Sequence, residues 1–390
     1  MRIVLSVEAI KHPLTGIGRY TWELAIRLPH HSDISSVRYL AHGRWRSIQT
    51  LSETTSVAGG VAEGTDGVRP FLQRLARSRM AGRLYERLLP VVTRMRINSQ
   101  ETDLYHGTNY FVPDTDVACV VTVHDLSTLL NPEWHQAERV RRINKMIKQS
   151  INRARFVITD SQAVRQEIIS YFALSGSKVI VVPLGVDPVF RPRKVEEIRQ
   201  CLAKLELQPG GYCLCVATVE PRKNLLRLIN AYRALPARLR DKWPLVLVGE
   251  KGWNSESIHQ AIVQAEREGW LKYLGYVPQD MLPALYSGCH LFVYPSLYEG
   301  FGLPVAEAMA SGVPVLTSNR SSLPEVAGDA AWLIDPEDES VIREGLLVTI
   351  QDELWRARAV KAGLCRAAQL TWEACVCRTV DVYRAVLYNG

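Results

Sequence analysis

Short apolar runs alternate along this chain with longer stretches in which apolar residues recur at helical spacing. Apolar runs of this length are typical of strands buried on both faces of a parallel sheet. In the first half they are RIVLSV, SVRYLA, DLYHG, ACVVTVHD and RFVITDS. In the second half they are KVIVVPLG, YCLCVAT, PLVLVGE, LKYLGY, HLFVYPS and VPVLTS. The alternation predicts an α/β protein with doubly wound, Rossmann-like sheets.

A proline-rich stretch separates the two sets of runs. Residues 183–194 read PLGVDPVFRPRK, a composition that is typical of a linker. We therefore expect two Rossmann-like domains, residues 1–185 and 186–370, that face each other across a ligand cleft. The chain length of 390 residues fits two domains of ordinary size.

The cysteines and the apolar content indicate the compartment. Eight cysteines occur, several inside apolar runs such as DVACVV, and none forms a C-x-x-C pair. This pattern favours buried thiols in a reducing compartment over a disulfide framework or a zinc site. The start, MRIVLSVEAI, reads as a strand rather than a signal peptide. No apolar run reaches about 18 residues, the length of a membrane span. We expect a cytoplasmic protein.

The positive charge is concentrated in the first half of the chain. The net charge is +7, and the excess of basic residues lies within residues 1–185. Residues 71–96 hold seven arginines and one acid, with leucines near helical spacing, and residues 139–155 hold seven basic residues and no acid. The run 71–96 predicts a basic amphipathic helix, which we expect to lie on an anionic membrane surface. The alternative is a solvated helix face on an anion-binding domain. We expect no nucleic-acid partner, because no recognition module is visible.

The strongest chemical pattern is YPSLYEGFGLPVAEAMASGVPVLTSNRSSLPEVAG, residues 294–328. Glu299 and Glu307 stand eight positions apart in a predicted strand, turn and helix, with Pro304 suited to the start of the helix. A helix N-terminus favours phosphate, because its first amides lack intrahelical partners. Gly300 and Gly302 let the backbone approach a ligand closely. Two carboxylates placed in this way suit the two ends of a sugar nucleotide.

This segment closely resembles the signature of the retaining glycosyltransferases of family 4, which have the GT-B fold of two Rossmann-like domains. The resemblance implies that Glu299 binds hydroxyls of the donor sugar and that Glu307 binds the ribose. It also implies that the last helix, within residues 371–390, crosses back to the first domain. The turn implied to bind the diphosphate comprises Gly300, Phe301, Gly302 and Leu303.

Two strand ends of the first domain carry further candidates. In TGIGRY, Gly16 and Gly18 precede a predicted helix, a setting that suits a phosphate loop and a plain turn about equally. The resemblance favours a donor-facing loop, with Arg19 near phosphate. His124 ends the run ACVVTVHD. A lone histidine there is more often structural, but the resemblance places it near the donor sugar. We expect Asp125 to cap the following turn rather than orient the acceptor.

Cations for the leaving group are predicted in VEPRKN. Arg222 and Lys223 lie at a predicted strand end, where the resemblance implies that they neutralise the diphosphate. Many relatives carry a further arginine where this chain has Ala217, so the division of work between the two cations stays open. On the acceptor side we expect His106 and Asn109, from LYHGTNYFVP.

The remaining predicted contacts concern the base and metal ions. Tyr276 and Val277, after LKYLGY, are expected under the base, and VGEKGW borders the same pocket. Asp114 and Asp116 form a D-x-D triplet, which binds metal in a different glycosyltransferase fold. Here it lacks the matching context, and the family generally needs no metal. We therefore expect neither a metal ion nor another cofactor.

The motifs TGIGRY, HGTNYFVP, TVHDLS and VEPRKN most resemble bacterial mannosyltransferases of O-antigen and other surface-polysaccharide assembly. The resemblance implies a donor such as GDP-mannose or a GDP-deoxyhexose, a lipid-linked or oligosaccharide acceptor, and work at the inner face of the cell membrane. It implies front-side substitution with retention. The catalytic set would be Glu299, His124, Lys223 and Arg222.

Other functions stay open from the sequence. A UDP-sugar-dependent glucosyl- or N-acetylglucosaminyltransferase would share the fold and the site. A catalytically weak GT-B partner subunit would not need the four catalytic candidates together. A Rossmann-type oxidoreductase ranks last, because G-x-G-x-x-G with a following ribose-binding acid is missing.

Overall fold

The computed structural model describes residues 1–56, 91–98 and 101–388, and two sheets form its core. The first sheet has the strand order β3-β2-β1-β4-β5-β6-β7, in which all neighbours are parallel except β2 and β3. Its strands are β1 (Arg2–Ser6), β2 (Ser36–Ala41), β3 (Arg44–Arg46), β4 (Leu104–Gly107), β5 (Ala118–Thr122), β6 (Phe156–Thr159) and β7 (Val179–Val181).

The second sheet is parallel throughout, in the order β10-β9-β8-β11-β12-β13. Every residue of β9, β11 and β12 is buried, which explains why these strands are almost continuous apolar runs. Its strands are β8 (Cys213–Val216), β9 (Leu245–Val248), β10 (Leu271–Tyr273), β11 (Leu291–Tyr294), β12 (Val315–Ser318) and β13 (Ala331–Ile334).

These sheets confirm the predicted α/β class with two Rossmann-like sheets, and correct three details. The run KVIVVPLG, grouped above with the second set, forms β7 at the edge of the first sheet, where Val179 pairs with Val157. Strand β3 was missed because its sequence, RWR, shows no apolar run. Strand β13 was missed because it is an edge strand and only its last residue is buried.

Helices cover both faces of the sheets. Ordered along the chain, the α-helices are Gly16–Arg27, Ile48–Ser56, 91–98, Ser127–Leu130, Ala137–Arg153, Gln162–Phe172, Val195–Lys204, Leu225–Arg233, Ala237–Lys242, Glu256–Arg267, Leu282–Gly288, Leu303–Ala310, Leu323–Ala327, Glu339–Gln351, Glu353–Ala367 and Trp372–Tyr388. Within the described ranges, none of them has the length and apolar character needed to cross a bilayer. A basic helix was predicted over residues 71–96, and its residues 71–90 lie outside the described part of the chain.

Two chain segments run side by side between the domains. Val186 forms a parallel bridge with Thr371, and its amide donates to the carbonyl of Leu370 at 2.9 Å. The helix Trp372–Tyr388 then packs on β5 and β6 of the first sheet. Gly185 lies so close to the start of this helix that a Cβ there would come within 2.2 Å of the Trp372 amide nitrogen. The domains are therefore joined by a paired crossover.

The cysteines are free thiols, and they are not all buried. Five of the eight lie in the core, Cys201 is partly exposed, and Cys365 and Cys377 are exposed. The prediction of buried thiols is therefore wrong for these two positions, which lie in helices Glu353–Ala367 and Trp372–Tyr388.

Candidate functional site

The centre of the candidate site is the Glu299 loop, which we define as residues 295–302, between β11 and the helix Leu303–Ala310. Gly302 caps this helix with φ +104°, a left-handed conformation that glycine adopts without strain. Pro304 lies in the first turn, where its missing N–H leaves no partner unsatisfied. The loop therefore presents a helix N-terminus, which suits an anion, beside the carboxylate of Glu299.

Glu299 is buried at the centre of a hydrogen-bonded cluster. Its Oε1 accepts from Lys223 Nζ at 2.6 Å, from Ser296 Oγ at 2.7 Å and from the Tyr294 hydroxyl at 2.9 Å. Its Oε2 accepts from Arg222 Nη1 at 2.9 Å. Burial alone would raise the pKa of Glu299, but the charges of Arg222 and Lys223 outweigh it and lower the pKa to about 2. Glu299 is therefore an ionised hydrogen-bond acceptor.

The two cations are held by a short turn, Pro221–Lys223. Arg222 Nε pairs with Glu220 Oε1 at 2.7 Å, and Lys223 Nζ also donates to the Tyr294 hydroxyl at 2.7 Å. Asn224 ends the turn in a left-handed conformation that asparagine tolerates, and its amide donates to two backbone carbonyls of the second domain. Burial and then Arg222 lower the pKa of Lys223. The sequence motif PRKN thus fixes both cations beside Glu299.

Glu307 occupies a different environment one turn into the helix. Its Oε2 accepts from the Tyr286 hydroxyl at 2.9 Å. Burial raises the pKa of Glu307 to about 7, although Tyr286 and Arg19 act in the opposite direction. The two glutamates therefore titrate in different pH ranges, which fits binding to different parts of one ligand.

Gly16 and Gly18 were expected before a helix, but they lie in the first turn of helix Gly16–Arg27, which Thr15 caps. This first turn faces the helix Leu303–Ala310 from the first domain. A Cβ on Gly16 would lie 3.7 Å from Leu303 Cδ1, across the cleft. Arg19 donates to Gln279 Oε1 at 2.7 Å and to Asp187 Oδ2 at 3.3 Å. The structure thus brings the turn to the donor side of the cleft, with Arg19 already bonded to groups beyond the first sheet.

His124 is placed at the cleft, and both nitrogens of its imidazole contact groups of the first domain. Its Nδ1 lies 2.7 Å from Asp160 Oδ2, and its Nε2 lies 3.0 Å from the Thr108 carbonyl oxygen. The part of His124 that meets the loop is its main chain, because a Cβ on Gly300 would come within 2.1 Å of the His124 carbonyl oxygen. Asp125 accepts from the amide and hydroxyl of Ser127, the predicted cap.

The expectation that His106 lines the acceptor side is wrong. Its side chain is fully buried, with Nδ1 2.6 Å from the Tyr383 hydroxyl and Nε2 2.8 Å from Thr122 Oγ1. Burial lowers the pKa of His106 to about 3, so the ring is neutral. It joins the last helix to the first sheet. Asn109 is half-buried close by, two residues after β4.

Three further predicted segments have clear positions. Tyr276 is exposed and Val277 is buried, both just after β10. Asp114 and Asp116 pair with Arg94, and the described residues contain no group of histidine, cysteine or acidic side chains able to hold a metal ion. The VGEKGW segment reaches the first domain, because the Trp253 indole N–H donates to the carbonyl of Trp134.

Several residues that hold the candidate site residues in place were not predicted from the sequence. Glu220, Tyr294 and Ser296 lie in the motifs already singled out, so their position beside Arg222 and Glu299 was the available signal. Tyr286 and Asp160 gave no local signal. Each lies in a separate segment and meets its partner only in the folded chain.

Solved structures show which class of protein this arrangement defines. HepE from Anabaena, in complex with UDP and glucose, superposes with a TM-score of 0.71 at 18% identity, covering 99% of this chain and all of that one. WaaG, a glycosyltransferase involved in lipopolysaccharide biosynthesis, gives a TM-score of 0.69 at 14% identity, covering 97% and 99%. Two Rossmann-like domains with the candidate site between them therefore form a GT-B glycosyltransferase fold.

Sequence comparison then identifies the family. Residues 14–190 match the family described as Glycosyltransferase Family 4, and residues 203–364 match Glycosyl transferases group 1. O-antigen chain mannosyltransferase B of Escherichia coli is 38% identical over 384 residues, covering 98% of this chain and all of that protein. The chain therefore belongs to the glycosyltransferases of family 4, as its motifs indicated. It is an enzyme that binds a nucleotide-sugar donor and an acceptor.

This chain also matches part of a longer relative. The serotype-specific mannosyltransferase WbdA of Escherichia coli is 34% identical over 298 residues, covering 73% of this chain. That match covers 36% of WbdA, so this chain corresponds to about a third of that protein.

Proposed function

We propose that this protein is a retaining α-mannosyltransferase of bacterial O-antigen-type polysaccharide synthesis. It transfers mannose, or a related deoxyhexose, from a GDP-sugar to a lipid-linked or oligosaccharide acceptor. The observation that carries the proposal is the 38% identity to an O-antigen chain mannosyltransferase over essentially both whole chains. Two further relatives, WbdA and RfbU, also have mannosyltransferase in their names.

In the chemistry that we propose, the charges of the site support the departure of a diphosphate. The acceptor hydroxyl attacks C1 of the donor sugar on the face from which the diphosphate leaves. The new C1–O bond forms as the C1–phosphate oxygen bond breaks, and an oxygen of the departing diphosphate takes the hydroxyl proton. Negative charge develops on that diphosphate. Arg222, Lys223 and the amides of residues 300–303 are the groups that would stabilise it.

Glu299 has a second task in this proposal. As an ionised acceptor beside both cations, it can accept hydrogen bonds from sugar hydroxyls while the donor phosphates turn Arg222 and Lys223 partly toward themselves. Glu307 would accept from the ribose hydroxyls, which favour its ionised form. The cations and the helix N-terminus supply positive charge from the protein itself, so we propose that transfer needs no metal ion.

The test is nucleotide binding followed by product analysis. Thermal unfolding is measured with GDP, GDP-mannose, UDP and UDP-glucose, each with and without magnesium. A ligand at 100 times its dissociation constant stabilises the folded state by about 2.7 kcal/mol. We expect stabilisation by GDP and GDP-mannose independent of metal, and an α-linked product by NMR. Stabilisation by UDP ligands alone would favour the UDP-sugar alternative. No stabilisation by any nucleotide would favour a catalytically weak partner subunit.

We also propose peripheral association with the anionic inner face of the membrane. The helix Ala137–Arg153 buries Ile143, Ile147 and Ile151 against the first domain. Its other face is exposed and basic, and it fits the headgroups of anionic lipids better than it fits a protein core. The exposed basic side chains on that face are Arg141, Arg142, Lys145 and Lys148.

A further inference from the structure

Asp160 and His124 form a buried ion pair at the carboxyl edge of the first sheet. They follow the adjacent parallel strands β6 and β5, and Asp160 is 2% exposed. Asp160 Oδ2 lies 2.7 Å from His124 Nδ1. Within the described residues Asp160 Oδ1 has no hydrogen-bond partner. A buried carboxylate is costly unless a counter-charge compensates it, so His124 is the group that makes this carboxylate tolerable.

The hydrogen bonds indicate a charged imidazole. The Thr108 carbonyl can only accept, so His124 Nε2 carries a hydrogen, and Nδ1 faces a carboxylate. Burial alone would lower the pKa of His124, but the charge and hydrogen bond of Asp160 outweigh it and raise the pKa. Asp125 acts in the same direction. The other titratable side chains facing the pair are kept neutral by burial, and they are Tyr20, His106 and Cys375.

The residues of the ion pair and their neighbours contact Gly300. The carbonyl oxygen of His124 leaves no room for a Cβ on Gly300. Ser161, the residue after Asp160, donates its hydroxyl to the Gly300 carbonyl oxygen at 2.8 Å. Two strand ends therefore contact Gly300, the neighbour of Glu299. The side chain of His124 anchors one of these strand ends, and the side chain of Asp160 anchors the other.

We propose that Asp160 is a positioning residue for glycosyl transfer, which acts through His124 to hold the first domain against the Glu299 loop. Asp160 itself touches no substrate in this proposal. The imidazole of His124 serves as an anchor, and its main chain meets the loop. The proposal rests on the glycosyltransferase function of this site and does not depend on which nucleotide sugar is the donor.

The first experiment measures the full-length protein without donor. In wild type, ¹⁵N NMR should show that the second ring proton of His124 is lost at a higher pH than in an ordinary histidine. In Asp160→Asn, this proton should be lost at a lower pH than in wild type, and the Gly300 amide resonance should move. Thr122→Val is the matched control, because it removes a buried hydroxyl that bonds Tyr20 and His106 but leaves the ion pair. It should leave both signals in place. The proposal would be overturned if His124 lost its second ring proton at the same pH in wild type and in Asp160→Asn. An unmoved Gly300 amide in Asp160→Asn would also overturn it.

The second experiment measures turnover with any nucleotide sugar that wild type uses. Asp160→Asn should lower kcat about 10- to 100-fold, the scale of a small misplacement of reacting groups, with little change in donor KM. If Asp160 acts through His124, Asp160→Asn should add no further loss in a His124→Gln background. Wild-type kcat in Asp160→Asn, or fully additive losses, would overturn the proposal. A wild type that uses none of the nucleotide sugars tested would count against the proposed glycosyltransferase function, and the NMR experiment would still decide whether Asp160 acts through His124.

Discussion

Lys223 Nζ lies 2.6 Å from Glu299 Oε1, and both side chains are almost completely buried. The two residues come from different segments of the second domain, the turn before helix Leu225–Arg233 and the loop after β11. A buried cation and carboxylate in contact set each other's charge. In this site they also place the positive charge beside the helix N-terminus where a diphosphate would bind.

Replacing the cation tests its role directly. Lys223→Ala should lower kcat by about 100- to 1000-fold, the usual loss when one charge-stabilising donor is removed. Nucleotide affinity should fall less, because Arg222 and the helix N-terminus remain. Steady-state kinetics with the preferred donor give the result. Lys204→Ala, an exposed lysine on helix Val195–Lys204, is the matched control and should retain wild-type turnover. Normal turnover in Lys223→Ala would refute its assignment.

The sequence predicted that these residues lie near one another because they are local to two motifs. Glu299, Gly302 and Glu307 lie on one strand–turn–helix unit, whose geometry follows from the spacing and from the glycine. Arg222 and Lys223 lie at another strand end of the same parallel sheet. Strand ends of a parallel sheet meet at one edge, so local pattern and fold class together were sufficient.

Gly300 of the second domain packs against the main chain of His124 in the first domain. Gly300→Ala should reduce transfer by about 100-fold, because a Cβ there would lie 2.1 Å from the His124 carbonyl oxygen and would push the first domain away from the loop. Thermal stability should change little if the domains separate slightly. Gly176→Ala is the control, since its Cβ would meet only the ends of two side chains, Arg165 and Ile169, and no backbone atom. Turnover at the wild-type level in Gly300→Ala would contradict this close contact.

The orientation of side chains in the first domain could not be read from sequence. His124 and His106 each follow an apolar strand pattern, so both were expected in the cleft. The distinction depends on partners distant in the chain, Asp160 for one ring and Tyr383 of the last helix for the other. Residues 36 and 277 positions away decide whether each imidazole faces ligand or core. Neither separation leaves a local pattern.

The raised pKa of Glu307 predicts a dependence of stability on pH. In the folded state burial raises this pKa from 4.5 to about 7, so between these values the folded chain holds a proton that the unfolded chain releases. The contribution of Glu307 to the free energy of unfolding therefore decreases as pH rises from about 4.5 to 7. Glu307→Gln removes this contribution. Urea denaturation should show that the substitution is more favourable at pH 8 than at pH 5.

Two further measurements sharpen this prediction. Glu339→Gln, on the exposed surface of helix Glu339–Gln351, is the control and should leave the pH profile of wild type unchanged. Nucleotide binding tests the ribose-binding role that we propose for Glu307, because in that role the ribose hydroxyls favour the ionised carboxylate and should lower the pKa of Glu307. An equal effect of Glu307→Gln at both pH values would show that the carboxyl does not titrate in this range.

The exposed basic face of helix Ala137–Arg153 predicts electrostatic binding to membranes. Purified protein should sediment with vesicles that contain anionic lipid at low salt, and should be released as salt screens the charges. Each basic residue near such a surface contributes about 1 kcal/mol. The triple variant Arg141→Ala, Lys145→Ala, Lys148→Ala should therefore weaken binding by about two orders of magnitude, since each 1.4 kcal/mol is tenfold.

The matched control removes the same charge from the second domain. Arg199→Ala, Lys204→Ala and Arg267→Ala remove three exposed basic side chains from two of its helices, and should leave vesicle binding near the wild-type level. Equal losses in the two triple variants would mean that net charge alone attracts the protein to the surface. Wild-type protein that stays in the supernatant with anionic vesicles at low salt would refute membrane binding, because screening is weakest under that condition.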